Sequence, residues 1–127
     1  MTYLAVIDRG YRGTLEAQFF DALYGVLAFR GQLGTIDLVL RGTAVTAAVT
    51  AESAPPRLKL AGLPEITAPD PRASVATLVE EGVAVYVDRH GLTALGLDED
   101  RLLPGVRCVD STRLALSWDT YQHVWFL

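Results

Sequence analysis

A run of five apolar residues from Val83 to Val87 constrains the fold of this chain more than any other feature. An uninterrupted apolar run rich in valine is typical of a parallel strand that is covered on both faces. Gly82 precedes the run and is well suited to end a helix, while Asp88 follows it directly. Ligands of open α/β sheets bind beyond the carboxyl ends of the strands, so Asp88 is a candidate site residue.

Four further apolar segments have the length of strands and alternate with helical patterns. The other strands are expected at Tyr3–Ile7, Ile36–Leu40, Val106–Val109 and His123–Leu127. Helices are expected from Thr14 to about Arg30 and at 43–51, 73–81 and 90–95, and a last one is expected to follow a cap at Asp110 or Ser111 and to include Leu114 and Tyr121. This alternation predicts a three-layer α/β/α sandwich with a five-stranded, mostly parallel sheet and right-handed crossovers.

Between Glu52 and Arg72 both patterns disappear, and five of the six prolines of the chain fall there. A short strand or turn around 58–60 is the only structure that the pattern offers. Long irregular segments of compact domains are usually functional, interfacial or mobile, and the sequence leaves these three roles open.

Composition and charge exclude several classes of function. Half of the 127 residues are hydrophobic, which predicts a single domain over residues 1–127 with a substantial core. The net charge is −4 without a basic stripe, so nucleic-acid binding is not expected. No signal peptide or stretch of roughly 20 apolar residues is recognised, so a cytoplasmic protein without membrane contact is expected. Cys108 is the only cysteine, and no disulfide, metal or cofactor is expected.

Four short motifs follow one another in a characteristic order: Tyr11–Thr14, Leu40–Val45, Gly82–Leu97 and Leu103–Val106. Their order and spacing, over nearly the whole chain, resemble the DsrE/DsrF-like (TusD/TusC-like) family of sulfur-relay proteins. The resemblance implies the same α/β/α sandwich. It also implies a homo-oligomer, either a trimer or a hexamer.

The position of Asp88 separates this chain from the sulfur-carrying members of that family. Those members have a cysteine after the equivalent strand, eight residues before a glycine that closes a short helix, and counting back from Gly96 leads to Asp88. A carboxylate cannot replace it, because a persulfide needs a nucleophilic thiolate. The resemblance therefore implies a non-catalytic binding or scaffold subunit linked to intracellular sulfur trafficking, with a cysteine-bearing relay protein as a candidate partner.

The loop from Asp8 to Gly13 has the outline of an anion site, because it joins a strand end to a helix start and contains two arginines. A turn with solvated arginines is the simpler explanation. If this loop shares a sheet edge with Asp88, the residues of the candidate binding crevice are Arg9, Tyr11, Arg12, Asp88 and His90. A small-anion or nucleotide-binding module is therefore one alternative function. The alternative role of Asp88 is that of a helix N-cap.

Cys108 supports the other alternative function, a sulfurtransferase that uses this thiol. It lies within an apolar strand, where Arg107 should point to the opposite face, so an inert core thiol is the preferred interpretation. Aromatic residues are concentrated near the end of the sequence, which fits either core packing or an interface between copies. These residues are Trp118, Tyr121, Trp125 and Phe126.

Overall fold

A computed structural model describes residues 2–10, 21–51, 57–67 and 70–127. The strands are β1 (Tyr3–Ile7), β2 (Ile36–Leu40), β3 (Arg57–Leu58), β4 (Ile66–Thr67), β5 (Ala84–Asp88), β6 (Arg107–Val109) and β7 (Val124–Phe126). The described α-helices are α1 (Ala22–Leu33), α2 (Pro71–Glu80), α3 (Arg89–Ala94) and α4 (Ser111–Ala115). Short 3₁₀ segments occupy Gly42–Ala48, Glu99–Arg101 and Trp118–Thr120.

Five strands form one sheet in the order β6-β5-β2-β1-β7, and each neighbouring pair is parallel. This confirms the predicted α/β fold with a five-stranded sheet, and β1 and β2 have the predicted bounds. The topology places β2 at the centre, between β5 and β1. All five carboxyl ends therefore lie at the same edge of the sheet.

The two faces of the sheet are covered unequally. On one face, α1, α2 and the 3₁₀ segment after β2 bury the larger cluster, which includes Leu38 and Val87. On the other face, a smaller cluster around Val39 is covered by residues from α4 and the chain that follows it. Ala84 and Tyr86, which face this thinner layer, are only half-buried. The β5 run is therefore covered on both faces, as predicted, but less completely on this second face.

The helix predicted from Thr14 to about Arg30 extends further at its C-terminal end than expected, and its predicted start cannot be compared with the described residues. Helix α1 begins at Ala22, because Asp21 acts as its N-cap and accepts a hydrogen bond from the backbone N–H of Tyr24 at 3.0 Å. It runs through Gly31 and ends at Leu33. Residues 11–20, including the predicted start of the helix, lie outside the described residues.

Two other predicted helices are shorter or tighter than expected. The alanine-rich stretch after β2 forms a 3₁₀ segment, consistent with the low α-helical propensity of its threonines and valines. The last predicted helix divides into α4, for which Asp110 is one of the two predicted caps, and a separate 3₁₀ turn. The described residues contain no helix that is long and apolar enough to span a membrane.

The proline-rich segment contains a short antiparallel hairpin, which we call the arm (residues 57–67). Strands β3 and β4 pair Arg57 with Thr67 within it. At its tip, the backbone N–H of Leu63 donates to the carbonyl of Leu60 at 3.1 Å. The turn requires Gly62, whose φ of 78° lies in the left-handed region.

Candidate functional site

Charged residues stand at the carboxyl ends of four neighbouring strands, and we call them the edge row. Across the sheet, from β6 to β1, they are Asp110, Asp88, Arg41 and Asp8. Each lies at the end of an apolar strand, where the chain leaves the core and a polar side chain can reach solvent or a helix start. The edge row therefore contains three carboxylates and one cation, Arg41, which stands between Asp88 and Asp8.

Arg41 is the centre of the edge row. Its Nε donates to Asp8 Oδ1 at 2.6 Å. Its guanidinium carbon lies 6.0 Å from the ring centre of Trp118 and 5.7 Å from that of Phe126, within the range of cation–π attraction. The hydrogen bond to Asp8 raises the pKa of Arg41, burial opposes this, and the charges of Asp8 and Asp88 raise the pKa further. Arg41 is thus already engaged by the protein itself.

Asp88 is buried, with 7% of its surface exposed. Its Oδ1 accepts hydrogen bonds from the backbone N–H of His90 at 3.2 Å and of Ser111 at 3.4 Å. The first bond caps α3, which confirms the N-cap role considered for Asp88 from the sequence. The second joins the end of β5 to the first residue of α4. Asp88 is therefore a structural junction between two strand-to-helix connections.

The loop that follows β1 and helix α3, which follows β5, both pack against the start of the 3₁₀ segment after β2. On one side, the backbone N–H of Gly10 donates to Thr43 Oγ1 at 2.8 Å. On the other, a Cβ placed on Gly91 would lie 3.1 Å from the carbonyl oxygen of Gly42. Gly42 has a φ of 56°, and a Cβ there would lie 2.6 Å from the carbonyl oxygen of Asp8. This close packing fixes the spacing between the loop and α3.

The structure brings together only part of the predicted crevice. His90 donates its backbone N–H to Asp88, while its exposed imidazole Nε2 lies 3.7 Å from Asp110 Oδ1. Arg9 is exposed and lines a small cavity beside α1. Tyr11 and Arg12 lie outside the described residues.

That cavity has a volume of about 30 Å³. Its lining is mostly apolar and includes Ile7, Leu23 and Leu40, with Arg9 and Thr46 among the polar members. Sites for nucleotide-sized ligands measure roughly 300–1,000 Å³, so this volume suits a water molecule and not a nucleotide. Within the described ranges, no group of three or more His, Cys, Asp or Glu side chains could hold a metal ion.

The sequence did not identify Arg41 as a site residue, although the charge of Asp88 raises the pKa of this guanidinium. The available signal was a charged residue directly after each apolar run, which Arg41 shares with Asp8. Spacing along the chain does not show that β2 lies between β1 and β5. The contact between Arg41 and the C-terminal aromatic rings likewise depends on the position of β7 beside β1.

Cys108 packs against the larger cluster, as expected of a core thiol, but it is only half-buried and so less buried than predicted. β6 is an edge strand, which leaves the thiol beside Glu99 and Arg89. Burial raises the pKa of Cys108, the hydrogen bond and charge of Glu99 raise it further, and Arg89 opposes them. The thiol is therefore a weaker nucleophile at neutral pH than a free cysteine.

A polar pair lies on the thinner face of the sheet. The hydroxyl of Tyr121 donates to Asp37 Oδ2 at 2.9 Å. Burial raises the pKa of Asp37, while the bond from Tyr121 and the charge of Arg107 lower it. The electrostatic contact with Asp37 places Arg107 on the face opposite Cys108, as predicted from strand alternation.

Comparisons with known proteins bear on the fold. No family model matches the chain, and no curated protein matches it. Among solved structures, the crystal structure of the ychN protein from E. coli is similar over 100% of both chains, with 20% identity and a TM-score of 0.72. The protein of unknown function MTH1491 from Methanobacterium thermoautotrophicum is similar over 96% of both chains, with 17% identity and a TM-score of 0.66. At these identities the likeness establishes the shared fold.

Proposed function

We propose that this chain is a DsrE/DsrF-like subunit of intracellular sulfur trafficking that binds or scaffolds other subunits and does not itself carry sulfur. The five-stranded parallel sheet and the full-length likeness to ychN are consistent with that fold. The proposed role in sulfur trafficking rests on the family resemblance, which the motifs Leu40–Val45 and Gly82–Leu97 carry within that fold. A homo-oligomer, with a cysteine-bearing relay protein as partner, is part of the proposal.

The observation that carries the proposal is the state of Asp88. It stands where the resemblance requires the sulfur-carrying thiol, yet its carboxylate is buried and accepts backbone hydrogen bonds from His90 and Ser111. A residue with these bonds stabilises the junction of β5, α3 and α4. The fold is thus supported at this position, while sulfur transfer through it is not.

The anion-binding alternative is weakened by the edge row. The only cation of the edge row is Arg41, which donates to Asp8 and whose pKa is raised by the charge of Asp88. An incoming anion would have to compete with both carboxylates. The sulfurtransferase alternative depends on Cys108, whose raised pKa lowers the fraction of thiolate.

Sulfur acceptance tests the proposal directly. The wild-type chain, Cys108→Ser, and Asp88→Cys in the Cys108→Ser background are incubated with glutathione persulfide and examined by intact-mass spectrometry. A thiolate that attacks the outer sulfur of the donor gains one sulfur atom and releases glutathione thiolate. We expect no gain for wild type or Cys108→Ser.

The outcome for each thiol discriminates between the candidate functions. Sulfur gained by wild type and lost in Cys108→Ser would contradict the proposal and establish the sulfurtransferase alternative. Sulfur gained by the Asp88→Cys variant would support the alignment of Asp88 with the sulfur-carrying position. An unfolded Asp88→Cys variant, detected by circular dichroism, leaves the wild-type comparison as the deciding measurement.

A further inference from the structure

The arm exposes apolar side chains that the rest of the described chain does not cover. Leu60 and Leu63 at its tip are 54% and 61% exposed, and Ile66 is 44% exposed. Exposed apolar side chains grouped on one short segment are a feature of interaction surfaces. The arm is therefore a candidate for binding another protein surface.

The main sheet does not support the arm through strand pairing. Strands β3 and β4 form a separate two-stranded sheet, and neither pairs with the five-stranded one. None of Leu60, Leu63 and Ile66 belongs to or packs against either core cluster. Isolated two-stranded hairpins are at best marginally stable in water, so docking would stabilise the arm.

A groove that the arm of the same chain does not fill runs between α1 and α2. Its volume is about 150 Å³. Leu23 and Leu78 are buried side chains in its lining, whereas Tyr24 is 67% exposed at its rim. Leu27, Asp21, Ser74 and Thr77 complete the lining. No described residue of the arm lines this groove within the same chain.

The charges of the arm and of the groove are complementary. The arm is net positive, with Arg57 and Lys59 against Glu65, although the whole chain has a net charge of −4. Asp21 lines one part of the groove, and the exposed Glu80 follows one turn after Thr77 on α2. Lys59 of one copy is therefore complementary in charge to Glu80 beside the groove of another copy, while Asp21 in the groove also serves as the N-cap of α1.

We infer that the tip of the arm in one copy docks into the α1–α2 groove of a second copy of this chain. The inference rests on the homo-oligomer in the proposed function and identifies its contact surfaces. Because the arm and the groove are different surfaces, the contact closes either by reciprocal exchange in a two-fold dimer or by head-to-tail repetition in a ring. The groove suits one or two leucine side chains as anchors, with the charges at its rim setting their orientation.

Light scattering of the full chain at micromolar concentration tests the inference with Leu63→Ser and Thr77→Arg. Thr77 is exposed, and arginine is a good helix former, so α2 should remain folded. We expect either change to shift the mass toward the 13.8 kDa monomer. Leu116→Ser is the matched control, because Leu116 is 83% exposed outside both surfaces and should keep the wild-type mass.

Disulfide trapping distinguishes docking in the groove from pairing between arms. In a Cys108→Ser background, copies with Leu63→Cys are mixed with copies with Thr77→Cys and oxidised. We expect cross-links in the mixture and not in either variant alone. Cross-linking between two Leu63→Cys copies would contradict docking in the groove and would show that the arms of two copies contact each other. An oligomer unaffected by Leu63→Ser and Thr77→Arg would overturn the docking but leave the homo-oligomer, whereas a monomeric wild type would overturn both.

Discussion

Gly91→Ala and Gly25→Ala are the same substitution near the start of two helices, and the structure predicts opposite effects on stability. Gly91 is the third residue of α3, where a new Cβ would lie 2.8 Å from Val45 Cγ1 and 3.1 Å from the carbonyl oxygen of Gly42. Gly25 is the fourth residue of α1, and a Cβ there meets nothing within 4 Å. The pair therefore separates helix propensity from close packing.

The expected magnitudes follow from two opposing contributions. Alanine stabilises a helix over glycine by roughly 0.5–1 kcal/mol, which should appear in full for Gly25→Ala. Overpacking of a close contact costs about 1–3 kcal/mol, and it applies to Gly91→Ala alone. Val45 is fully buried and Gly42 contributes backbone atoms, so neither can move aside easily. We expect the two variants to differ by about 1–3 kcal/mol, with Gly91→Ala the less stable.

Urea unfolding followed by tryptophan fluorescence measures this difference. Both variants are compared with wild type at one fixed protein concentration, because association would contribute to apparent stability. Equal slopes with urea would show that the two free energies are comparable. A Gly91→Ala variant as stable as Gly25→Ala would refute the close approach of α3 to the segment after β2, and with it the spacing of the edge row.

Three further perturbations test the polar contacts. Asp37→Asn should raise the free energy of unfolding at pH 7, because burial raises the pKa of Asp37 and disfavours its charged form. Its advantage in urea titrations should shrink as the pH falls through the folded pKa toward the ordinary 3.8, since wild-type Asp37 then becomes neutral. Glu99→Gln should accelerate iodoacetamide modification of Cys108, because Glu99 raises the thiol pKa, and an unchanged rate would contradict that contact. Asp88→Ala should cost about 0.5–2 kcal/mol in urea unfolding, whereas Asp88→Asn keeps a capping oxygen and should cost less; equal losses would argue against capping.

The strands were predictable from the sequence because their apolar runs have clear ends. β1 and β2 have the predicted bounds, and each is followed by a charged residue, Asp8 or Arg41. The β5 run is less buried on one face than its composition suggests, since Ala84 and Tyr86 count as apolar in the pattern although they are only half-buried in the fold. An apolar composition identifies a strand but does not reveal how thick the layer over each face is.

Helix ends were less predictable, because one side chain can override an apolar period. The apolar period runs past Asp21, yet its carboxylate accepts the N–H of Tyr24 and caps the helix that begins at Ala22. The sequence offers two glycines, Gly31 and Gly34, as ends of this helix; α1 continues through Gly31, and Gly34 is its C-cap. A glycine inside a helix costs only about 1 kcal/mol, which the tertiary contacts of α1 can offset.

The charge of the candidate site depends on the order of strands, which the sequence does not specify. Along the chain, Arg9 and Arg12 make the first loop look like a cationic crevice, with Asp88 far away in sequence. In the fold, β2 lies between β1 and β5, so Arg41 is flanked by Asp8 and influenced by Asp88. The cation that the topology brings to Asp88 is thus one that Asp8 already engages at 2.6 Å. An edge with this charge balance favours contacts within the protein over capture of a free anion, in agreement with a binding or scaffold subunit.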